Sequence, residues 1–461
     1  MICSIRNLIF ISMLFVGAAS AAVNHPFPQS IIYDNGIELS DKATAAAQLN
    51  TAFSYYLAAF YNESGNYAGI RSNEGSNEYF SEGIGYGMLM MVYFSNTTTS
   101  YQSQFDKLWA FYKASEDTNG LMNWKMGNVS PTTVWGENAA TDAEMDVAAA
   151  LILAAEQFGD DNYLTEAKTL LANIRTHEFE TNGLHKPGDV WNSKRNPSYI
   201  APAYYELFKN VDTDGAAFWS TTAMNANLTL LEANSAQYSN GLFDNWADDA
   251  GTGLDGYYGY DAARAPWRLA LSYYWFGNTR AQAMLSKLGD WVATKTASSV
   301  SGSISRSSGA FGSDHNSVFV ASLMTALVTN SAYQSKLDEF WAEAVNLGNE
   351  NYFNQSIKIL CGLAVSGNMP DFTAKSSSLP QHASRNAALG ASLQGSTLAV
   401  TAVNAGVLSA ELLDLSGRNV KELYRGSAAG GLRLSLTGFH GIYLVRVRQG
   451  TEQIFKTIAI Q

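Results

Sequence analysis

Apolar residues recur at helical spacing through most of the chain. Met145, Ala148 and Ile152 share one face of a predicted helix, and Thr141 and Glu144 have the order of a capping box at its start. The loops between such segments are rich in Gly, Asn, Asp and Ser. Further segments of this kind begin near Lys42, Gly83, Tyr101, Tyr163, Pro202, Ala217, Ala262, Ala281, Ser317, Ala332 and Phe353.

Residues 22–372 are therefore predicted to form an all-α domain with about twelve helices. The most apolar of these helices also carry small residues, and the number of helices is even. Both features favour an inner and an outer layer of helices that close into a ring.

The pattern changes near the C-terminus. Residues 373–396 are rich in Ser, Ala, Gly and Gln, which is typical of a flexible linker. Beyond them apolar residues alternate with a period of two, and Ser416-Gly417 and His440-Gly441 indicate turns. We expect a small all-β sandwich over residues 397–461. The alternating positions are Leu398/Val400, Leu432/Leu434/Leu436, Tyr443/Val445/Val447 and Ile458/Ile460.

The first 21 residues have the layout of a cleavable secretory signal. Arg6 precedes an apolar run from Leu8 to Val16, and small residues follow up to Ala21. The mature protein is thus expected to be secreted and to begin at Ala22. The apolar run is too short to span a bilayer, and no other stretch reaches the roughly 18 apolar residues that a membrane helix needs. We expect no membrane span.

Composition narrows the class of partner. The formal net charge is −12, and the sequence has no run rich in Lys and Arg, which argues against a nucleic acid or an anionic membrane surface. The chain holds 10 Trp, 24 Tyr and 22 Phe, whereas charged residues make up only 15%. Such a surplus of rings suits stacking on a neutral, ring-shaped ligand.

Several common kinds of catalytic chemistry lack their sequence signature. The chain has no His-Glu-x-x-His, no Gly-x-Ser-x-Gly, no P-loop and no dinucleotide-binding glycine motif. Six scattered histidines show no metal-ligand spacing. Cys361 is the one cysteine beyond the signal, and we expect it to be buried and to pack as a small hydrophobic residue. Neither a metal nor a cofactor is implied, which leaves carboxylates as the candidate acids and bases.

Glu82 lies in an aromatic and apolar stretch rather than on a charged face. Ser81 can cap a helix there, and Gly83 and Gly87, one turn apart, leave a strip that a backbone or a sugar ring can approach. Desolvation in such surroundings raises the pKa of a carboxyl, as a general acid requires. The alternative is that Glu82 only favours the helix N-terminus by its charge.

Two further acidic sites stand out. Asp142 and Asp146 lie one turn apart on one helix face, so either could reach a ligand at the helix start, although a first-turn charge alone would explain Asp142. Asp261 precedes Arg264 by three residues, and the guanidinium favours its ionised form. A protonated Glu82 and an ionised Asp261 would form the acid and base of glycoside hydrolysis. A plain Asp–Arg ion pair is the alternative.

These residues carry a family resemblance. The chain resembles glycoside hydrolase family 8 from about Phe53 to Phe372, in five blocks that follow the order of the family. The blocks are Ser81-Glu82-Gly83-Ile84-Gly85-Tyr86-Gly87-Met88, Ala140-Thr141-Asp142-Ala143-Glu144-Met145-Asp146-Val147-Ala148, Asn196-Pro197-Ser198-Tyr199 with Pro202-Ala203-Tyr204, Tyr260-Asp261-Ala262-Ala263-Arg264, and Ser366-Gly367-Asn368-Met369-Pro370.

The resemblance implies an (α/α)6 barrel with an open cleft that cuts internal β-1,4 bonds of plant cell-wall polysaccharide with inversion. By the pattern of the family, Glu82 is the general acid, Asp261 the base that activates water, and Asp142 a carboxylate that binds sugar at the cleavage point. Glu144 stands where many members carry Asp. Members of the family that cut chitosan place the base elsewhere, so an aspartate at position 261 disfavours chitosan as substrate.

The resemblance also implies aromatic sugar platforms. Trp124, Tyr260 and Tyr352 match platforms of the family, and Arg264 is expected to orient Asp261. Cellulose or another β-1,4-glucan is the favoured substrate, with xylan as the alternative. A non-catalytic glycan-binding protein on the same barrel is the alternative from another class. Three further aromatic residues are less specific candidates for the cleft, namely Tyr199, Trp191 and Trp246.

The C-terminal segment carries a second resemblance. Residues 413–418 and 441–446 resemble the C-terminal sorting domains that some Gram-negative bacteria use for export through the outer membrane. This resemblance implies a Gram-negative source and a contact with the outer-membrane secretion machinery. An accessory or binding β-domain is the alternative.

Overall fold

The computed structural model describes residues 23–73, 75, 78–374, 390–394, 397–401, 406–414, 418–428, 431–449 and 452–460. The chain divides into two compact units between Ala374 and Lys375. The predicted signal, residues 1–21, lies outside the described residues, as do the predicted turn at Ser416-Gly417 and most of the predicted linker.

Twelve α-helices lie in the described part of the first unit, one for each segment predicted to be helical. They are α1 (Lys42–Phe60), α2 (Ser81–Phe94), α3 (Gln102–Ala114), α4 (Thr141–Phe158), α5 (Asn162–His177), α6 (Pro202–Val211), α7 (Met224–Ala236), α8 (Ala265–Phe276), α9 (Thr279–Val292), α10 (Ser317–Met324), α11 (Gln334–Asn346) and α12 (Tyr352–Val365).

The even-numbered helices form a closed inner ring. Helix α2 packs on α4, α4 on α6, α6 on α8, α8 on α10, α10 on α12, and α12 again on α2. Each odd-numbered helix packs outside an inner one, with α3 on α2, α5 on α4 and α1 on α12, for example. This arrangement confirms the predicted (α/α)6 barrel.

Burial along the helices explains the two layers. In α4 every residue except Glu156 is buried, so this helix can only stand in the core. In α5, by contrast, only one stripe is buried, which contains Ala167, Leu171 and Ile174. The inner helices also approach closely, because a Cβ added at Gly85 of α2 would lie 2.8 Å from the Cβ of Asp146 on α4.

The helix starts differ from the sequence prediction in their caps. Ser81 and Thr141 are the first helical residues, and Phe80 and Ala140 hold the N-cap positions without a side-chain cap bond. The hydroxyl of Thr141 instead donates to the carbonyl of Lys186 at 2.7 Å. The predicted capping roles are therefore wrong. The N-cap positions fall one residue earlier in both helices, and the hydroxyl of Thr141 is engaged in a tertiary hydrogen bond.

Long segments precede five of the six inner helices, α12 being the exception, and shorter segments follow those five. Because the chain runs along an inner helix and returns along an outer one, all inner helices begin at the same end of the barrel. The long segments at that end carry short antiparallel strands. They are β1 (Tyr61–Ser64), β2 (Tyr67–Ile70), β3 (Tyr79–Phe80), β4 (Lys125–Met126), β5 (Val134–Gly136), β6 (Tyr257–Tyr258) and β7 (Ile304–Ser305). Strand β1 pairs with β2 and β6 with β7, and a three-stranded sheet has the order β3–β4–β5.

The second unit is all-β, as predicted. Its strands are β8 (Gly390–Gln394), β9 (Thr397–Thr401), β10 (Gly406–Leu413), β11 (Asn419–Ala428), β12 (Gly431–Ser435), β13 (Gly441–Gln449) and β14 (Glu452–Ile460). They form two antiparallel sheets, in the orders β11–β10–β13–β14 and β12–β9–β8. Buried alternate residues such as Val400, Ala410 and Val447 share one core between the sheets.

Strand β8 lies inside the segment predicted to be a linker. Leu393 is its one large apolar residue, so the strand has no alternating pattern to detect.

Elsewhere, Cys361 is fully buried, as expected of a small hydrophobic residue. Among the described helices, none combines the length and the apolar character that a membrane crossing requires.

Candidate active site

The carboxylates singled out in the sequence meet where the inner helices begin. Glu82 and Asp142 lie in the first turns of α2 and α4. Asp261 directly precedes a short 3-10 turn, Ala262–Arg264, which leads into α8. Helix N-termini favour negative charge, because their free N–H groups and aligned peptide dipoles are positive. The barrel thus collects acidic side chains from distant parts of the chain at one end.

Arg264 connects these three acids. Its Nη1 donates to Glu82 Oε2 at 2.7 Å and to Asp142 Oδ2, and it also lies 3.3 Å from the hydroxyl of Tyr86. Its Nη2 lies 3.8 Å from Asp261 Oδ1. Arg264 was expected to orient Asp261, but its closer contacts are with Glu82 and Asp142. The paired carboxylates offset the cost of burying this cation.

Glu82 is held from both sides. Its Oε1 accepts a hydrogen bond from the hydroxyl of Tyr352 at 2.9 Å, and its side chain is 21% exposed. Burial raises the pKa of Glu82 to about 7, although Arg264 acts against this shift; the negative charge of Asp142 adds to it. The direction is the one expected from the apolar sequence around Glu82. Near neutral pH this carboxyl can therefore hold a proton and release it.

Asp261 has different surroundings. Its side chain is 42% exposed and accepts a hydrogen bond from Asn196 Nδ2 at 3.3 Å. The turn around it is fixed by Asn245, whose Oδ1 accepts from the backbone N–H of Gly259 at 2.9 Å and of Ala262 at 3.2 Å. Asp261 is thus open to water yet held in place. Sequence reasoning assigned no role to Asn196 or Asn245.

Two aromatic residues offer exposed rings beside these acids. Trp124 is stacked on Phe80 with ring centroids 5.8 Å apart, and its carbonyl accepts from the backbone N–H of Ser81 at 3.0 Å. It is therefore tied to the start of the helix that carries Glu82. Tyr260 precedes Asp261, and its hydroxyl accepts from Asn316 Nδ2 at 2.9 Å. Both rings can support a flat ligand over the acids.

Tyr352 differs from the expectation that it is a sugar platform. It is only 2% exposed, and its hydroxyl is on Glu82. A ring packed in this way has no open face for a sugar, so its contact with the site is the hydrogen bond. Tyr199 is half-buried, and its ring centroid lies 5.1 Å from the guanidinium carbon of Arg264.

Trp191 and Trp246 lie together, with ring centroids 5.1 Å apart. The amine of Lys194 lies 3.7 Å from the centroid of Trp246 and 5.4 Å from that of Trp191. Trp191 is exposed, whereas Trp246 is half-buried. A ring contact of 6.5 Å between Trp246 and Tyr199 links this pair to the residues around Arg264.

The other acids of the Asp142 segment face the core. Asp146 accepts two hydrogen bonds of 2.9 Å from Arg268, and both residues are buried. The two residues therefore form a structural ion pair, and Asp146 cannot reach a ligand. Glu144 is also buried and accepts from the hydroxyl of Tyr112 at 3.2 Å, and its burial raises its pKa well above the usual range. Across the described ranges, no group of three or more His, Cys, Asp or Glu is arranged to hold a metal ion.

Comparisons with known proteins agree with this geometry. Residues 25–367 match the family described as glycosyl hydrolases family 8. The chain belongs to this family. It is thus a glycoside hydrolase, which confirms the activity class and the fold that the sequence resemblance implied.

Individual family members are similar over most of the chain. Endoglucanase 2 of Ruminiclostridium josui is 30% identical over 402 residues, which cover 81% of this chain and 84% of the relative. Endoglucanase C of Ruminiclostridium cellulolyticum is 31% identical, over 77% of this chain and 79% of the relative. The apo structure of a beta-1,3-1,4-glucanase from Paenibacillus sp. X4 superposes with a TM-score of 0.70 and 26% identity, over 75% of this chain and 99% of that one.

Proposed function

We propose that this family 8 hydrolase is an inverting endo-β-1,4-glycanase that prefers β-1,4-glucan. The observation that carries the proposal is the pair Glu82 and Asp261, whose side chains are 21% and 42% exposed and contact different nitrogens of Arg264. The similarity to proteins named endoglucanase supports the choice of glucan.

Glu82 is the proposed general acid. It must be protonated in the resting enzyme in order to give its proton to the leaving glycosidic oxygen. A pKa of about 7, raised by burial, keeps much of it protonated in neutral or mildly acidic solution. The hydroxyl of Tyr352 and the guanidinium of Arg264 then stabilise the carboxylate that forms as the proton leaves.

Asp261 is the proposed general base. Its exposure lets a water molecule reach it, and the amide of Asn196 holds one of its oxygens. Since both Arg264 nitrogens belong to one planar guanidinium, their contacts of 2.7 Å and 3.8 Å place the bound oxygens of Glu82 and Asp261 at most about 9 Å apart. Separations of roughly 6.5–9 Å satisfy that limit and fall in the range of inverting enzymes, in which the gap leaves space for the attacking water.

Asp142 is proposed to bind the sugar at the cleavage point. Its Oδ2 is held by Arg264, and its Oδ1 is buried and has no hydrogen-bond partner in the described structure. A buried acceptor of this kind is costly unless it is satisfied, and a sugar hydroxyl supplies the missing donor once substrate binding opens Asp142, which is 2% exposed, to the cleft. Trp124 and Tyr260 would stack on neighbouring rings of the same chain.

The proposal is tested by Glu82→Gln, which keeps the shape of the side chain and removes the acidic proton of the carboxyl group. Reducing ends released from a soluble cellulose derivative and from xylan are measured side by side, with exposed Glu156→Gln as the control. We expect Glu82→Gln to lose about 10²- to 10⁴-fold in rate and still bind oligosaccharide. Near-normal rates would remove Glu82 from its role.

The wild-type rates decide between the alternatives. Faster release from xylan would replace glucan by xylan as the preferred substrate. Discrimination at the C6 hydroxymethyl group is worth only about 1–3 kcal/mol, so it depends on side-chain placement in the cleft. No release from either polymer, together with retained binding, would indicate a non-catalytic glycan-binding protein.

We further propose that residues 1–21 direct secretion and that the C-terminal β-unit serves export through the outer membrane of a Gram-negative bacterium. The support is the sequence alone, namely the apolar run before Ala22 and the likeness of residues 413–418 and 441–446 to sorting domains. The N-terminal sequence of protein collected outside the cells tests the first part, with Ala22 as the expected start. Deletion of residues 397–461 tests the second, with retention inside the cells as the expected result.

A further inference from the structure

One exposed aromatic residue close to the site was not singled out by the sequence. Trp135 is 52% exposed and lies on β5, in the three-stranded sheet β3–β4–β5. Strand β3 leads directly into α2, and Glu82 is the second residue of that helix. The sheet therefore lies at the barrel end where the acids meet.

Trp135 is the extra residue of a β-bulge. Lys125 pairs with Gly136, but the next residue, Met126, pairs with Val134. Trp135 between them has no partner position on β4. A bulge of this kind turns a side chain away from the regular alternation of the strand and is common beside active sites.

Two glycines, Gly127 directly after β4 and Gly136 at the end of β5, each lie against an indole ring. A Cβ added at Gly127 would collide with the indole of Trp135, and one added at Gly136 would collide with the indole of Trp124. Each ring therefore lies against the backbone of the opposite strand. Trp124 and Trp135 are thus neighbouring aromatic surfaces on one small sheet.

We propose that Trp135 is an outer sugar platform, which binds a further pyranose ring of the β-linked chain beyond the one stacked on Trp124. The inference rests on the proposed function, because it extends the same cleft. An indole face suits the apolar face of a pyranose ring. Lys125, the cation on strand β4, is paired with Glu78 at 2.8 Å, and the net charge of −12 disfavours an acidic polymer. The ligand is therefore a neutral glycan.

The test measures kcat/KM against substrate length. Wild type, Trp135→Ala and Trp135→Phe are compared on β-1,4-gluco-oligosaccharides of increasing length and on a soluble cellulose derivative. The control is Phe276→Ala, which removes another exposed ring at the C-terminal end of α8, away from the site. For Trp135→Ala we expect a loss of about two- to tenfold on the long substrates and none on the shortest one that is cleaved.

Further variants separate the platform from other roles. Trp135→Phe should keep most of the wild-type rate on long substrates, because it keeps an aromatic face. Gly127→Ala, which displaces the indole, should show the same length-dependent loss as Trp135→Ala. Equal rates for Trp135→Ala and wild type at every length would overturn the proposal, and so would an equal loss at every length. Failure of the proposed function would appear separately, as normal activity of Glu82→Gln.

Discussion

The hydrogen bond from Tyr352 to Glu82 predicts a specific change in pH dependence. The phenol donates to Glu82 Oε1 at 2.9 Å and favours the ionised carboxylate, so it lowers the pKa that burial raises to about 7. Tyr352→Phe keeps the buried ring and removes only the hydroxyl. The variant should therefore raise the pKa of Glu82 further.

The size of the shift follows from the energy of the bond. A hydrogen bond to a charged group contributes about 1.5–3 kcal/mol, and part of this persists with the neutral acid. At 1.36 kcal/mol per pKa unit, the expected rise is about one unit. Because the acid must be protonated to act, kcat/KM falls as pH rises through the pKa of Glu82. In Tyr352→Phe this alkaline fall should move about one unit higher.

The assay is the pH profile of kcat/KM on a soluble β-glucan. Tyr93→Phe is the matched control. Tyr93 lies on α2, the helix that carries Glu82, but its buried hydroxyl donates to the carbonyl of Pro370 at 3.0 Å, away from Glu82. Its profile should match that of wild type. An alkaline limb that stays in place in Tyr352→Phe, or moves to lower pH, would refute the assignment of this limb to Glu82.

Two further predictions concern the inner helices. Asp146→Asn leaves the buried cation of Arg268 without its carboxylate, so we expect a loss of about 3–5 kcal/mol in the free energy of unfolding, measured with denaturant, while Glu156→Gln on the same helix should change little. A loss below 1 kcal/mol would show that the pair is dispensable. Gly85→Ala forces a Cβ against Asp146 and should cost about 1–3 kcal/mol in the same assay, and an unchanged midpoint would contradict the close approach of α2 and α4.

Local patterns predicted the helices well, because the spacing of apolar residues in each helix reflects which of its faces are buried. The uniform burial of α4 and the single buried stripe of α5 are both visible as apolar spacing. The strand β8 was missed since its sequence contains one large apolar residue, Leu393. The predicted capping roles of Ser81 and Thr141 were wrong because both residues already lie inside their helices. The backbone N–H of Ser81 donates to the carbonyl of Trp124, and the hydroxyl of Thr141 donates to that of Lys186, and local sequence does not reveal either contact.

The candidate site was predictable only in part. Glu82, Asp142 and Asp261 could be found from their segments and from the family resemblance. The contacts of Arg264 could not, because it meets Glu82 across 182 residues and Asp142 across 122. The spacing of three residues between Asp261 and Arg264 did indicate a contact between them, but that contact is the longest of the three that Arg264 makes with carboxylates. Burial of Tyr352 likewise depends on the closure of the barrel.

The stereochemistry of the first product tests the central claim most directly. If Glu82 gives the proton while Asp261 activates water on the opposite face, a β-linked glucan must release the α anomer first. Proton NMR of the fresh product, recorded before mutarotation, should therefore show the α signal leading and the β signal growing later. An initial β product would contradict the division of roles between Glu82 and Asp261.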